Sequence, residues 1–184
     1  MPWSDNHKLN SRHRILSSAA LIFSRQGFEA TSIDTVMQNA GLTRGAFYAH
    51  FASKSELYAE ALRYAAQVNI ERLKEASFRE RVLGYLSDAH RNGIGINCPL
   101  ACLISDVTQR DDRVRDTYTK LFAGFVDHFQ STDSELADRK LALLHAVILI
   151  GGIAISRNLT DESLADELMD VCRTFALDLA KDKS

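Results

Sequence analysis

The scarcity of helix-breaking residues is the feature that most constrains the fold of this chain. Its 184 residues include only two prolines, Pro2 and Pro99, and nine glycines. Because helices tolerate these residues least, long uninterrupted helices are easy to place in the sequence and strands are not. Apolar residues make up 46% of the chain, which is ample for a packed core. The sequence therefore predicts an all-α protein of about nine helices.

Residues 27–57 are the part of the sequence that says most about function. Two short helices are predicted here, near 32–40 and 43–49. They are joined by Gly41 and Leu42, the short glycine-bearing connection of a helix-turn-helix. The segment is therefore interpreted as a DNA-reading element.

Helical spacing assigns roles within this element. Thr31 or Ser32 is expected to cap its first helix and Thr43 its second, because such side chains accept hydrogen bonds from free helical amides. The residues expected inside are Ile33, Val36, Met37, Phe47 and Phe51. The rest of the second helix is small, aromatic or basic, a mix that lets a helix approach a duplex and donate to phosphates and base edges.

Two longer helices are predicted on either side of this element. The first covers about residues 10–26, with Gly27 as its stop. The other begins at Ser53, where Glu56 completes a capping box, and continues to Leu73. At more than five turns it can act as a rigid connector that transmits displacement.

We divide the chain into an N-terminal domain, residues 1–56, and a C-terminal domain, residues 57–184. Further helices are predicted at 77–92, 99–109, 111–130, 134–156 and 160–181, with a loop at 93–99. The last two carry apolar stripes that fit a four-helix dimer interface. The stripes are Leu141, Leu144, Ile148 and Ile155 on one helix and Leu164, Leu168, Val171 and Phe175 on the other.

Charge is distributed unevenly along the chain. The formal net charge is −2, but residues 1–55 hold six lysines and arginines against three acids, which is +3 and leaves −5 for the remainder. The basic end is the end with the helix-turn-helix, as expected if phosphates are its partner.

A long motif runs through residues 23–57. Phe23 to Ser32 fit the pattern F-x-x-x-G-[FY]-x-x-[TS]-[TS], and Gly41 to Leu57 fit G-[LV]-[ST]-[RK]-G-x-[FIL]-Y-x-[HY]-F-x-[SN]-K-x-x-L. In this motif the chain resembles the tetracycline-repressor (TetR/AcrR-like) family of bacterial transcriptional regulators. The resemblance implies a homodimeric repressor that binds a pseudo-palindromic, double-stranded DNA operator. It also implies that an unknown small-molecule effector binds the C-terminal helices and releases the operator.

The resemblance also implies which residues contact DNA. Carried over residue by residue, it implies phosphate contacts from Ser32, Thr43, Tyr48, His50 and Lys54 and groove contacts from Arg44, Gly45 and Ala46. The chemistry of the groove residues agrees. Arg44 can bond two acceptors of a guanine edge, Gly45 admits the backbone, and Ala46 offers a methyl group to thymine.

The C-terminal domain offers candidates for a ligand pocket, each with core packing as its alternative. They are Cys102, Tyr118, Phe122, Phe125 and His145. Cys98 and Cys102 lie four residues apart around Pro99, so they are either small buried hydrophobes or an oxidant sensor. No metal site and no cofactor are predicted, because this pair lacks a second ligand motif. Gly151 and Gly152 permit either a kink or close helix approach.

Other classes of protein are not favoured. The sequence has no nucleophile elbow, phosphate loop or metal motif, so we do not expect an enzyme. Three cysteines without a secretory leader are expected to be reduced thiols. The longest apolar run, residues 141–155, is too short to span a bilayer, so a cytoplasmic protein with no membrane contact is expected.

Overall fold

The structure is a computed structural model that describes residues 5–132 and 139–179, with side chains for 8–128 and 139–179. Secondary structure in these residues is entirely helical, which confirms the all-α prediction. The described helices are α1 (Asp5–Ala30), α2 (Ile33–Asn39), α3 (Arg44–Tyr48), α4 (Lys54–Arg72), α5 (Phe78–Tyr85), α6 (Asp88–Arg91), α7 (Pro99–Cys102), α8 (Ile104–Val107), α9 (Asp112–Thr132), α10 (Arg139–Ser156) and α11 (Glu162–Asp178).

Local signals place the boundaries of the first helices. Gly27 interrupts α1 with φ 72°, ψ −176°, a conformation that disfavours side chains with a Cβ, so the predicted stop is confirmed. Ser32 caps α2, its hydroxyl accepting from the Thr35 amide at 3.0 Å. Thr43 occupies the cap position of α3 but makes no side-chain capping bond. The prediction that it caps α3 was therefore right in position and wrong in mechanism.

The start of α4 also differs in detail from the predicted capping box. Ser53 accepts from the Glu56 amide at 3.0 Å, as expected. The Glu56 carboxylate, however, accepts from the Ala52 amide at 2.7 Å and not from Ser53. The return bond is thus displaced by one residue, and it still satisfies an amide at the helix entrance.

Two predicted helices are each split in the structure, which raises the number of described helices to eleven. The predicted helix 77–92 breaks after Tyr85, where the Ser87 hydroxyl accepts from the His90 amide at 3.3 Å and starts α6. Serine competes with helical bonds in this way, which propensity alone does not reveal. The predicted helix 99–109 breaks at Leu103, with φ −122° and ψ 14°. Residues 134–138, with which the predicted helix 134–156 begins, lie outside the described residues.

Two buried clusters form the interior. The first joins α1, α2 and α3 to the N-terminal half of α4, with Phe23, Phe47 and Tyr58 at 0–1% exposure. Phe51 is 2% exposed, so the prediction that both phenylalanines point inward is confirmed. This cluster continues along α4 to Ala65, so the boundary predicted between residues 56 and 57 falls within a continuous core. The second cluster lies between α5, α7, α9, α10 and α11.

Helix α10 is central to the second cluster, and eight of its 18 residues are buried. The apolar run 141–155 is part of this longer helix, so the prediction that it is too short to span a bilayer was wrong in length. By length and composition α10 is the one described helix that could cross a membrane, a test that a buried core helix also passes. A Cβ added at Gly152 would lie 3.0 Å from Cys172 Sγ and 3.1 Å from a Leu86 methyl carbon, whereas one at Gly151 would meet no described atom within 4 Å. Gly152 therefore allows close packing inside this chain, and the two glycines do not kink the helix.

Candidate DNA-binding surface and ligand cavity

Helix α3 presents the predicted reading residues on the surface. Phe47 is fully buried and fixes the helix to the core, while Tyr48 leaves 61% of its surface exposed. Thr43, Arg44 and Gly45 are also exposed. Because Phe47 holds α3 to the core from one side while its other side is exposed to solvent, the helix can approach a DNA groove without any change in the core.

Arg44 does not stand alone on this surface. Its Nη1 lies 2.8 Å from Asp34 Oδ2, and both side chains are about 60% exposed. The Tyr48 hydroxyl and, secondarily, Asp34 raise the pKa of Arg44. Sequence analysis does not identify Asp34 as a partner of Arg44, because the pairing arises from the turn that brings α2 and α3 together. The guanidinium is thus held in place by an acid that DNA would have to displace.

Ala46 and Ser32 have local partners as well. Ala46 is partly buried and packs against the first cluster, so only part of its methyl group is open to a base. The Ser32 hydroxyl is exposed and lies 2.7 Å from Thr35 Oγ1 in addition to capping α2. It can meet a phosphate by reorienting its own proton.

His50 is half-buried and lies against α1. Its Nε2 is 2.9 Å from Ser11 Oγ, whose hydroxyl donates to the Lys8 carbonyl at 3.0 Å. With that hydroxyl proton engaged, Nε2 carries the proton and Nδ1 remains an acceptor. Burial, with help from Lys8 and Arg12, lowers the pKa of His50. Donation to a phosphate from Nδ1 would therefore require the protonated imidazole.

Lys54 lies at a junction between the two parts of the chain. Its Nζ is 4.2 Å from the centroid of the Phe28 ring, a cation–π distance, and burial is the main cause that lowers its pKa. On the same ring, the Arg110 guanidinium lies 4.6 Å from the centroid and pairs with Glu29. A phosphate contact by Lys54 would require its side chain to leave this position.

Asp106 accepts hydrogen bonds from both helices at this junction. Its Oδ1 accepts from the Phe28 amide at 3.3 Å, and its Oδ2 accepts from the Tyr58 hydroxyl. Burial, with this bond, raises the pKa of Tyr58 far above its usual range, so the phenol stays protonated. We call the set Phe28, Glu29, Lys54, Tyr58, Asp106 and Arg110 the junction cluster. It links α1 and α4 to the segment around α8.

A cavity of about 170 Å³ lies between α4, α5 and α9. Most of its wall is apolar, with Arg81 and Tyr85 contributed by α5. The Arg81 Nε and the Tyr85 hydroxyl are buried and have no hydrogen-bond partner among the described residues. The full lining is Ala66, Asn69, Ile70, Leu73, Arg81, Tyr85, Cys98, Leu100, Lys120, Leu121, Gly124, Phe125 and His128.

The five predicted pocket residues are not brought together. Phe125 lines this cavity, whereas Tyr118 and Phe122 line an open groove between α8, α9 and α10. Cys102 lies in a polar depression beside Arg157. His145 is fully buried between α10 and α11, where its Nε2 lies 2.7 Å from the Ala176 carbonyl, so it is a core residue that does not line the cavity. Sequence reasoning missed Arg81 and Tyr85, because on α5 they look like ordinary helix-surface residues.

The cysteines do not have the environment of an oxidant sensor. Burial raises the pKa of Cys98, and it raises the pKa of Cys102 to about 11. The reactive form of a sensor is the thiolate, which these environments disfavour at neutral pH. Among the described residues, no three His, Cys, Asp or Glu side chains are grouped as a metal ion would require.

The fold and this surface define a helix-turn-helix regulator, in which a small reading module is joined by one long helix to a helical domain with a cavity. Residues 15–61 match the family described as bacterial regulatory proteins, tetR family. An uncharacterised HTH-type transcriptional regulator from Mycobacterium tuberculosis is 31% identical over 110 residues, which is 56% of this chain and 57% of that protein. AcrR from Shigella flexneri is 46% identical over 50 residues, 27% of this chain and 23% of that protein. The helix-turn-helix part of the chain, residues 15–61, therefore belongs to the tetR family.

Solved structures show the same fold over nearly the whole chain. A TetR-family regulator from Cytophaga hutchinsonii superposes with a TM-score of 0.74 at 19% identity, covering 99% of this chain and 98% of that one. FadR from Bacillus subtilis, solved in complex with stearoyl-CoA, gives a TM-score of 0.60 at 17% identity, covering 91% of this chain and 96% of that one. The chain spans little more than half of the length of the M. tuberculosis relative that it matches. These relatives and neighbours are transcriptional regulators.

Proposed function

We propose that the chain is a homodimeric repressor that binds a pseudo-palindromic operator and releases it when a small molecule binds. Residues 1–56 would bind DNA, and residues 57–184 would bind the effector and form the dimer. The observation that carries the proposal is the exposed surface of α3, where Arg44 and Tyr48 project from a helix anchored by buried Phe47. A repressor named among the relatives, AcnR from Corynebacterium efficiens, supports the sign of regulation. DNA binding places this activity in the cytoplasm.

Arg44 would read the operator and its neighbours would position it. The guanidinium can form two bonds to a guanine edge once Asp34 is displaced. Thr43, Ser32 and Tyr48 surround it on the same surface and can donate hydroxyl protons to phosphates. Such contacts fix register without reading sequence, so the specificity of this surface is expected to depend most on Arg44.

The last two helices would form the dimer. Both expose large apolar side chains in the single chain: Val147 is 61% exposed, Ile155 54% and Phe175 59%. Leu144, Leu164 and Val171 extend the same faces at 43–48% exposure. Large exposed apolar patches mark interaction surfaces, and a two-fold dimer would bury equal patches from both copies. The two reading helices would then be about 34–36 Å apart, or a multiple of that, as successive major grooves require.

Helix α4 would connect effector and operator. Its C-terminal half contributes Asn69, Ile70 and Leu73 to the cavity, and its N-terminal half contributes Tyr58 to the junction cluster. Asn69 lies eleven residues after Tyr58, which is about 16 Å along the helix. An effector that displaces the cavity end of α4 would therefore change the spacing of the reading helices. By reciprocity, operator binding would weaken effector binding by the same factor.

Fluorescence anisotropy with DNA flanking the chain's own gene tests the reading surface. Arg44→Ala should weaken binding about tenfold or more and reduce discrimination among sequences. Arg25→Ala, which removes an exposed arginine of α1 beside Gly27, is the matched control and should change affinity little. Equal losses in both variants, or none in Arg44→Ala, would contradict the assignment.

Sedimentation velocity tests the dimer. Phe175→Glu should shift the protein toward monomer, because it places a charge in the proposed apolar interface. Ile94→Glu changes a side chain that is 64% exposed in the loop before α7 and is the control. A Phe175→Glu protein that sediments as wild type does would overturn the proposed interface.

A further inference from the structure

Two polar groups in the cavity between α4, α5 and α9 are buried without a partner. Arg81 is 7% exposed and Tyr85 is 5% exposed. Neither the Arg81 Nε nor the Tyr85 hydroxyl has a hydrogen-bond partner among the described residues. The two residues lie four apart on α5, so their side chains share one face, and both line the cavity. Folded proteins rarely leave such groups unsatisfied, so a bound species is expected to complete them.

The charge of the cavity wall indicates what that species is. Two cationic residues line the cavity, buried Arg81 and exposed Lys120. They lie with His128, whose pKa is lowered by burial and by Arg81, and none of the described lining residues is acidic. The ion pairs of the described residues include neither Arg81 nor Lys120. The Arg81 Nε is a buried donor of a charged group without a partner, which is costly because buried charged groups are normally paired. An anion is the ligand that would remove this cost.

Tyr85 supplies a second donor at the same place. Burial raises the pKa of its hydroxyl well above the usual range, so the group remains a neutral donor. The thiol of Cys98 lies beside it, but sulfur accepts hydrogen bonds only weakly. An anionic oxygen is a much better acceptor, and bonds of this charge-assisted kind are short and strong. Arg81 and Tyr85 together therefore offer donors to the two oxygens of one carboxylate.

The rest of the cavity wall indicates the polarity and size of the uncharged part of the ligand. Ile70, Leu73, Leu100, Leu121 and Phe125 surround the two donors with apolar surface. The cavity volume of about 170 Å³ corresponds to roughly five or six water molecules at their liquid volume. A carboxylate with a compact apolar body of about the size of benzoate or hexanoate fits both the volume and the surface.

We propose that this cavity binds a small organic carboxylate, whose oxygens accept from Arg81 and Tyr85 while its apolar body packs against α4 and α9. The inference rests on the proposed function in taking this cavity as the effector site. It goes further in naming the chemical class of the effector and the residues that recognise its charge.

Isothermal titration calorimetry on the full chain without DNA tests the binding site. Benzoate and hexanoate are the probes, and benzamide and hexanamide are neutral controls of the same shape. The acids should bind and the amides should bind at least tenfold more weakly. Arg81→Gln should weaken acid binding about tenfold to a hundredfold, since a charge-assisted bond is lost. Arg79→Gln removes an exposed arginine from the same helix and should leave binding unchanged.

A ligand-free measurement keeps the inference testable if Arg81→Gln folds poorly. Arg81→Met replaces the buried guanidinium with an apolar side chain of similar length. If the charge is uncompensated without ligand, this variant should melt about 2–4 °C above wild type. It should also lose the stabilisation that benzoate gives to wild type.

The outcomes separate the inference from the proposed function. Failure of both acids to bind, equal binding of the amides, or a lower melting temperature for Arg81→Met would overturn the carboxylate site. Acid binding that depends on Arg81 but leaves operator affinity unchanged in fluorescence anisotropy would support the site and overturn its role as the effector site. Loss of operator binding by Arg44→Ala is independent of all these results.

Discussion

Two buried tyrosines show how differently the two parts of this molecule are built. Tyr58, in the first buried cluster, is fully buried, and its hydroxyl donates to Asp106. Tyr85, in the C-terminal domain, is 5% exposed, and its hydroxyl has no described partner. The first belongs to a frame whose polar groups are satisfied within the chain. The second belongs to the wall of a cavity, where its hydroxyl would gain a hydrogen-bond partner only from a bound ligand.

This difference follows from what each part must do. A reading module has to present Arg44 and Tyr48 in one geometry, and its core buries Phe23 and Phe47 almost completely. A site that takes up a ligand must leave a volume unfilled and donors unused before binding. Local violations of packing and hydrogen bonding are therefore expected where function is located.

The largest expected effect comes from truncating one phenylalanine in each of the two regions. Phe47→Ala should destabilise the protein by about 3–5 kcal/mol, because it opens a void in a filled core. Phe125→Ala enlarges a cavity that already exists and should cost about half as much or less. Urea unfolding at pH 7.5 measures both. Equal costs would break the comparison, since they would show that the two interiors are packed alike.

A second test uses a polar group that is buried in the C-terminal domain but satisfied. The His90 Nδ1 lies 2.7 Å from the Tyr85 carbonyl, and its Nε2 accepts from the Cys98 amide at 3.3 Å. Burial lowers the pKa of His90 to about 4. The unfolded ring protonates near pH 6.5, so between pH 6.5 and 4 the unfolded state binds more protons. The contribution of His90 to the free energy of unfolding is fully present above pH 6.5. It should fall by about 3 kcal/mol as the pH drops to 4.

Unfolding free energies measured at several pH values check this prediction. His90→Gln should flatten the curve between pH 4 and 6.5, although a shallower slope remains because burial also lowers the pKa of His50 and His128. His13→Gln removes an exposed histidine of α1 and serves as the control. A variant curve as steep as that of wild type would show that His90 is not buried neutral.

A third test removes one hydroxyl from each region. Tyr58→Phe should destabilise the protein by about 1–2 kcal/mol, because it leaves an Asp106 oxygen without its donor. Tyr85→Phe removes a hydroxyl that has no described partner and should be neutral or slightly stabilising without ligand. Thermal unfolding of the ligand-free protein distinguishes them. If Tyr85→Phe costs as much as Tyr58→Phe, then the Tyr85 hydroxyl is satisfied and the comparison fails.

The reading module could be predicted from the sequence in more detail than the C-terminal cavity could. Gly27, Ser32, Gly41 and Phe47 mark the reading module, because stops, caps, turns and inward faces are local signals. The cavity lacks such signals. Apolar periodicity on α9 indicated that Tyr118, Phe122 and Phe125 lie on buried sides, but it does not say which helix faces each of them. Of these three only Phe125 reaches the cavity, and Arg81 lines it because the fold brings α5 to the same cavity as α4 and α9.

The smallest expected effect concerns the pair of Asp34 and Arg44 on the reading surface. Since the operator must displace Asp34 from Arg44, Asp34→Asn should raise operator affinity about two- to fivefold, as expected for an exposed ion pair. Removing any acid near DNA also reduces repulsion, so the variant must be repeated in an Arg44→Ala background. There the gain should disappear, because a double-mutant cycle isolates the pair. A gain of equal size in both backgrounds in fluorescence anisotropy would mean that Asp34 acts through general charge and does not restrain Arg44.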